Sequence, residues 1–231
     1  MRMGSRARAE DSRHHLHVSC HDSETKALIH SWQGRLALGL ISTAVLLTAC
    51  TDSAVQGNGD VVTETRTVSE FSAVTAEDGA RVMLTIDPTA TGDVDLDVTT
   101  DSNLLEFLKT DVSGQTLKVS PVRMGGIRTQ EGLEVSGTVA LLSEVEANNG
   151  AQATITGSSG EVQLSANSGG LIDGEEFEVE TVTVDVNNGA HVTVCATGTV
   201  TGEVTNGASL TVLCGGNAGS VKTSNGGKVS S

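Results

Sequence analysis

Few side chains in this chain are suited to chemistry, and two of them are cysteines at an informative distance. Cys195 and Cys214 lie 19 residues apart. A disulfide requires the two Cα atoms to lie roughly 4.4–6.8 Å apart. The pair can therefore bridge if the fold brings residues about 19 apart side by side. We predict this disulfide, and two buried free thiols are the alternative.

Metal chemistry is poorly supported. His191 is the only histidine after residue 50, so a zinc cluster would lack partners. Asp93, Asp95 and Asp97 form an acidic stripe that could attract Ca²⁺, but the tight glycine turn of a calcium loop is absent. We predict no metal site, and we interpret the stripe as the solvated face of a strand. The acidic run Glu175–Glu180 receives the same interpretation.

Catalysis is also poorly supported. Aromatic residues make up 2% of the chain, with no Tyr, so a sugar-stacking floor is unlikely to be built. No phosphate loop or Gly-x-Ser-x-Gly elbow occurs. We predict a protein that is not an enzyme and needs no cofactor. A carbohydrate-active β-helix enzyme is the least favoured alternative.

Cys50 ends a segment with its own chemistry. Residues 34–50 are GRLALGLISTAVLLTAC, an uncharged apolar stretch followed by small residues and a cysteine. This resembles the bacterial lipobox, in which the cysteine thiol is acylated and becomes the first residue after cleavage. We predict that Cys50 carries a lipid anchor at the bacterial cell membrane, facing outward or the periplasm. A plain secretory signal with a chance cysteine is the alternative.

Charge divides the chain at the same place. Residues 1–49 carry six Lys/Arg and four Asp/Glu, whereas residues 50–231 carry eight Lys/Arg and 25 Asp/Glu, a net charge of −17. We predict an N-terminal extension with a signal peptide over 1–49, a linker over 50–58 and one domain over 59–231. The acidic domain argues against nucleic acid as a partner. An exported domain would also oxidise its cysteine pair.

A repeat in the second half indicates how the domain is built. Asn-Gly is a strong hairpin signal, but here it recurs in one phase with Ser168-Gly169, and the glycines step by 19, 20, 18 and 19 residues. Fixed spacing is typical of stacked repeats. We predict an all-β solenoid with coils of about 19 residues and an asparagine ladder at the turns. The turn residues are Asn149, Gly150, Asn188, Gly189, Asn206, Gly207, Asn225 and Gly226.

The first half of the domain fits this pattern more loosely. The sequence EDGARVMLTI from Glu77 matches the Gly-Ala-x-Val pattern at Gly79. Gly79 lies 71 residues before Gly150, so we expect roughly four coils with an irregular insertion between them.

Two stretches of this half carry a family resemblance. RTVSEFSAVTAEDGARVMLTI from Arg66 and DSNLLEFLKTDVSGQTLKVS from Asp101, followed by the Asn-Gly coils, resemble the GIN domain family of bacterial envelope proteins. The resemblance covers residues 59–231 and implies a right-handed parallel β-helix with no catalytic residues. Cys195 and Cys214 are not part of the family pattern. The family's motif positions fall on Arg66, Phe71, Gly79, Val82 and Leu84.

Together these features predict a non-enzymatic envelope lipoprotein with an adhesin-like binding module. The alternative is a structural or regulatory lipoprotein of the cell envelope. The expected partners are the membrane, through lipidated Cys50, and an unknown envelope protein or glycan. A second copy of the chain is a further candidate partner.

Overall fold

The computed structural model describes residues 54–122, 126–129 and 132–231. Cys50, the proposed signal segment and most of the proposed linker lie outside these residues, so the anchor and the domain boundaries stay predictions. The short strand β1 (Val55–Gln56) falls inside the stretch that we interpreted as linker. Within the described part of the chain, no helix is long and apolar enough to cross a membrane.

The described residues form strands joined by short turns, with one turn of 3-10 helix at Leu105–Phe107. Strands of the first half are β1, β2 (Val61–Val68), β3 (Ala73–Ala76), β4 (Arg81–Ile86), β5 (Val94–Asp101), β6 (Leu108–Ser113), β7 (Thr116–Pro121), β8 (Ile127–Arg128) and β9 (Glu134–Val139). Strands of the second half are β10 (Glu144–Asn148), β11 (Gln152–Asn167), β12 (Leu171–Val186), β13 (His191–Val204), β14 (Ser209–Leu213), β15 (Asn217–Thr223) and β16 (Lys228–Ser230).

The second half pairs in parallel at the spacing of the sequence repeat. Glu144 lies beside Gln163, 19 residues later. Leu171 lies beside His191, and His191 beside Ser209, which are offsets of 20 and 18 residues. The extra residue in the longer repeat is absorbed where the register of β12 and β13 shifts between Gly174 and Glu178.

The prediction of a right-handed parallel β-helix is nevertheless wrong for this chain. All but two of the strands belong to one mixed 14-stranded sheet, in which β5 is antiparallel to both β2 and β9. β6 and β7 form an antiparallel hairpin whose turn contains Gly114 at φ 65°. Local antiparallel pairing of this kind needs only a tight turn, whereas a uniform solenoid needs a crossover before each new pairing. The fold class is therefore all-β with a mixed sheet.

The expected four coils between Gly79 and Gly150 do not exist. β4 pairs directly with β11, so that Arg81 lies beside Gln152, and β3 pairs directly with β10. The intervening chain instead places β7 against the other side of β3, and β9 against the other side of β4. Residues 73–86 are thus enclosed between an earlier and a later neighbour, and strand order no longer follows chain order.

The core is built from aligned aliphatic columns. Alternation along each strand turns every second side chain inward, and in-register pairing then places equivalent side chains beside one another. Each such side chain contributes about 1.5–3 kcal/mol relative to leaving it exposed. One column, at most 1% exposed throughout, contains Val135, Val82, Ala153, Ile172, Val192 and Leu210.

The Asn-Gly pairs occupy the corners between strand segments. Asn188 has φ 51° and Gly189 has φ 72°, and the Ala190 N–H donates to the Asn187 carbonyl oxygen. Two successive positive φ values belong to the turn type that usually joins a hairpin. Here, however, residues 181–186 before the turn pair with residues 199–204 and not with the residues that follow it. The turn therefore redirects the chain without forming a hairpin.

Backbone hydrogen bonds link one corner to the next. The Gly169 N–H donates to the Asn188 oxygen at 3.2 Å, and the Gly189 N–H donates to the Asn206 oxygen at 3.2 Å. Side-chain amides add separate contacts: Asn188 Nδ2 donates to Asn167 Oδ1 at 2.8 Å, and Asn225 Nδ2 donates to Asn206 Oδ1 at 3.0 Å. The side-chain contacts thus occur in pairs, while the backbone forms the longer ladder.

Substitution of a corner glycine tests this geometry. Gly189→Val places a β-branched residue at positive φ, and we expect a loss of about 1–2 kcal/mol in the free energy of unfolding, measured with urea. Gly160→Ala is the control, because its new methyl group would meet nothing within 4 Å. We expect that variant to change stability by less than about 0.5 kcal/mol. Equal losses in the two variants would contradict the corner assignment.

Candidate binding surface

Hydroxyl-bearing side chains cover the outward face of the sheet where its antiparallel and parallel parts meet. Alternation along β2, β5, β9, β4 and the start of β11 turns apolar residues inward and leaves these side chains exposed or half-buried. We call this surface the threonine face. It consists of Thr63, Thr65, Thr67, Met83, Thr85, Asp95, Asp97, Thr99, Ser136, Thr138, Thr154 and Thr156.

The register arranges these side chains as a grid. Thr85 lies between Thr138 and Thr156 on neighbouring strands, and the Thr156 hydroxyl donates to Thr85 Oγ1 at 3.1 Å. Met83 lies in the next row, between Ser136 and Thr154. Neighbouring strands lie about 4.8 Å apart, so the hydroxyls are regularly spaced across the sheet.

An open groove of about 690 Å³ crosses this grid. Its exposed lining is supplied by Asp93, Asp95 and Asp97 from one side and by the Ser/Thr grid from the other. Gly137 stands at the strand junction, where a Cβ would lie 2.8 Å from Leu96 Cδ2. The absence of a side chain at this residue lets β5 approach β9 closely enough to form the groove wall.

Two groove carboxylates are held in place by hydroxyls of the outer strand. Thr67 Oγ1 donates to Asp95 Oδ1 at 2.7 Å, and Thr65 Oγ1 donates to Asp97 Oδ1 at 2.8 Å. Each aspartate therefore uses one oxygen for a structural hydrogen bond and retains a second oxygen that a ligand can contact. The stripe that we interpreted as a solvated strand face is solvated, and it also forms one wall of the groove.

The predicted disulfide is present. Cys195 and Cys214 are bridged with their Cα atoms 5.1 Å apart, so the free-thiol alternative does not apply. Cys195 pairs in register with Leu213, which explains why its bridging partner is the following residue. A closed loop of this length restricts the unfolded chain by a free energy on the order of 3 kcal/mol. The bridge lies away from the groove and ties β13 to the end of β14.

The family-motif residues have structural roles. The Arg66 guanidinium donates to the Leu108 oxygen at 2.6 Å and to the Leu105 oxygen at 2.9 Å, and it pairs with Glu64 at 2.6 Å. It therefore ties β2 to the 3-10 turn and to β6. Phe71 is buried in the core at 2% exposure, and Gly79 forms a corner at φ 80°.

Metal-binding chemistry finds little support here. His191 is exposed, and its Nδ1 contacts Ser209 Oγ. In the part of the chain that the structure describes, no three His, Cys, Asp or Glu side chains are grouped so that they could hold a metal ion.

Sequence reasoning found the acidic wall of the groove but missed the hydroxyl wall. The missed residues are Met83, Thr85, Ser136, Thr138, Thr154 and Thr156. Each lies on an alternating strand, and that alternation is the signal that could have marked it as outward-facing. Their assembly depends on the 71-residue offset between β4 and β11, which strand alternation does not reveal.

Asp101 is a carboxylate with a structural task outside the groove. It is 2% exposed and accepts hydrogen bonds from the Thr129 hydroxyl and from the Gly59 N–H, both at 2.6 Å. The Thr129 bond first, and the Gly59 bond second, hold the pKa of Asp101 below its ordinary value of 3.8. Asp101 thereby fastens the chain that enters β2.

Comparison with known proteins identifies related sequences and folds. The family described as "Putative auto-transporter adhesin, head GIN domain" matches residues 70–158 and 125–216. A "putative adhesin" from Bacteroides fragilis is 14% identical over 77% of this chain and 98% of its own, with a TM-score of 0.47. A "putative lipid binding protein" from Parabacteroides distasonis is 13% identical over 77% of this chain and 99% of its own, with a TM-score of 0.44. No curated protein matches the chain.

The lowered pKa of Asp101 sets a pH dependence. An ionised carboxylate with a lowered folded pKa stabilises the fold above its unfolded value, and that stabilisation is lost as the pH falls through the folded value. We expect Asp101→Asn to lower the free energy of unfolding at pH 7, and the difference from wild type to shrink below about pH 4.

Urea unfolding between pH 3 and pH 7 measures this difference. Asp93→Asn is the control, because it also removes one acidic charge but from an exposed residue. A difference between wild type and Asp101→Asn that stays constant over the whole range would contradict the assignment.

Proposed function

Because the chain belongs to the family described as "Putative auto-transporter adhesin, head GIN domain", we propose that it is a non-enzymatic, adhesin-like binding module of the cell envelope. Its threonine face is the contact surface, and the groove beside Asp95 and Asp97 is the centre of that surface. This groove is the single observation that carries the proposal. It is the part of the described surface where many uncommitted polar groups converge in an ordered array.

The composition of the groove favours a hydroxyl-rich ligand such as a glycan. Threonine hydroxyls both donate and accept hydrogen bonds, and the aspartates accept them from sugar hydroxyls. The lining contains no aromatic side chain, so binding would rest on many hydrogen bonds and on the Met83 side chain. The three lining aspartates repel anions, which favours neutral glycans over nucleic acids or anionic lipids.

The groove carboxylates are better suited to binding than to acid–base catalysis. Asp95 and Asp97 lie two residues apart on one strand, and each already accepts a hydrogen bond from a threonine of β2. Both face open solvent on the outer side of the sheet. A general acid usually requires a buried carboxyl group whose pKa is raised.

Lipid anchoring through Cys50 would present this surface at the membrane. The apolar run Leu36–Leu47, the small residues before Cys50 and the polar residues after it support the anchor. Two or more acyl chains on one cysteine would hold the domain stably, whereas one chain would not. The target is then an envelope protein or a glycan within reach of the anchored domain.

Capture from the protein's own envelope tests the proposal. The anchored wild-type chain is compared with the double variant Asp95→Asn and Asp97→Asn. A hydrogen bond to a charged group contributes about 1.5–3 kcal/mol, so each substitution should weaken binding about tenfold or more. We expect wild type to enrich a glycan or glycosylated component, and the double variant to lose it.

The matched control changes the same kinds of side chain outside the groove. Glu161→Gln and Thr183→Val alter two exposed residues that are not part of its lining, and should leave capture unchanged. If wild type enriches nothing over an unrelated lipoprotein, the binding role is refuted. A structural role in the envelope then becomes the better account.

A further inference from the structure

The outer strand β2 presents an unpaired backbone edge. Among the described residues β2 pairs with β5 alone. The Ser102 N–H donates to the Asp60 oxygen at 2.8 Å, which makes residues 60 and 102 a hydrogen-bonded pair. Such pairs alternate along an antiparallel ladder, so Val62, Glu64, Arg66 and Val68 bond to β5. The N–H and C=O groups of the intervening threonines point away from the sheet.

This edge lacks the usual protection against strand pairing. Natural edges are kept apart by proline, bulges or like charges. β2 is eight residues long, contains no proline or glycine, and keeps an unbroken register with β5. Its two charges, Glu64 and Arg66, cancel each other. A strand of zero net charge is unusual in a domain whose net charge is −17.

The sequence of the edge is complementary to itself in the antiparallel direction. Residues 62–68 are Val-Thr-Glu-Thr-Arg-Thr-Val, symmetric about Thr65 except that Glu64 is mirrored by Arg66. In an antiparallel pair centred on Thr65, Val62 lies opposite the partner's Val68. Thr63 then lies opposite the partner's Thr67, and Glu64 opposite the partner's Arg66, its charge complement.

We propose that β2 strands of two copies of the chain pair antiparallel about a two-fold axis at Thr65, joining their sheets edge to edge. The alternation of hydrogen bonds fits this axis. Thr63, Thr65 and Thr67 are the residues with outward backbone groups, and this register makes them the hydrogen-bonded pairs across the axis. Both singly paired strands then gain a second neighbour.

The pairing would double the threonine face. Side chains of Thr63, Thr65 and Thr67 lie on the same face as the groove aspartates, so the two grooves would share one continuous surface. A single strand pair is small compared with the interface of a stable dimer, so we expect weak association in dilute solution. Anchoring at a membrane would raise the effective concentration of the two copies. The dimer does not depend on the identity of the ligand.

Cysteine substitution in the full chain tests the register. Cα atoms of a hydrogen-bonded antiparallel pair lie about 5.5 Å apart, within the range of a disulfide. Thr65→Cys should therefore form a dimer on non-reducing gels from membranes, at least tenfold more than Thr63→Cys or Thr67→Cys alone. Co-expressed Thr63→Cys and Thr67→Cys chains should cross-link to each other. Thr156→Cys is the control for random collision on the same face.

Two results would overturn the proposal. One is the absence of a Thr65→Cys dimer, or cross-linking of Thr65→Cys to a different protein. The other is equal cross-linking by Thr63→Cys and Thr65→Cys, which would indicate a different register or mere collision.

A second variant separates pairing from folding. Thr65→Pro removes an N–H that points away from β5, a change that an edge strand tolerates. We expect it to keep the wild-type melting temperature while the concentration-dependent dimer, measured by sedimentation, disappears. A wild type that stays monomeric at all concentrations, with the same sedimentation as Thr65→Pro, would also refute the two-fold pairing.

Discussion

The structure depends on corners in which two successive residues adopt positive φ. Asn188 and Gly189 show why: the chain must reverse within one turn, and only residues tolerant of the left-handed region do so cheaply. Because the same turn recurs, the strand segments between corners have nearly constant length. Constant length keeps successive segments in register, and register places aliphatic side chains in columns. Small core residues suffice because each column is only one residue wide.

The local part of this account could be predicted from the sequence. Asn-Gly at fixed spacing predicts the corner at Asn206-Gly207 and the 18-to-20-residue offsets of the second half. The same spacing indicated that Cys195 and Cys214 would be neighbours. These features depend on the preferences of single residues and on a period, and both are visible in one chain.

The first half could not be predicted in the same way. β5 alternates regularly, but alternation is the same for parallel and antiparallel strands, and its antiparallel neighbours are distant in the sequence. The match between the corners at Gly79 and Gly150 was visible, but their direct contact was not. Asn149 Nδ2 donates to Asp78 Oδ1 at 3.0 Å, because the 71-residue excursion leaves the stack and returns beside its starting point. A regular solenoid would have filled that interval with repeats.

That excursion creates the candidate site. β9 and β5 are brought to one side of β4, and β11 to the other, so carboxylates and hydroxyls from distant segments line one groove. Function in this domain is thus associated with the place where the repeat is broken, whereas the regular repeats supply support.

The most direct measurement is a cross-link across the 71-residue gap. The account predicts that the double variant Thr85→Cys and Thr156→Cys forms an intramolecular disulfide under oxidising conditions, because β4 and β11 lie about 4.8 Å apart. Mass spectrometry of the digested monomer would identify the linked peptides. If four repeats separated these strands, the residues would be about 20 Å apart. The absence of the bridge would contradict both the fold of the first half and the groove that depends on it.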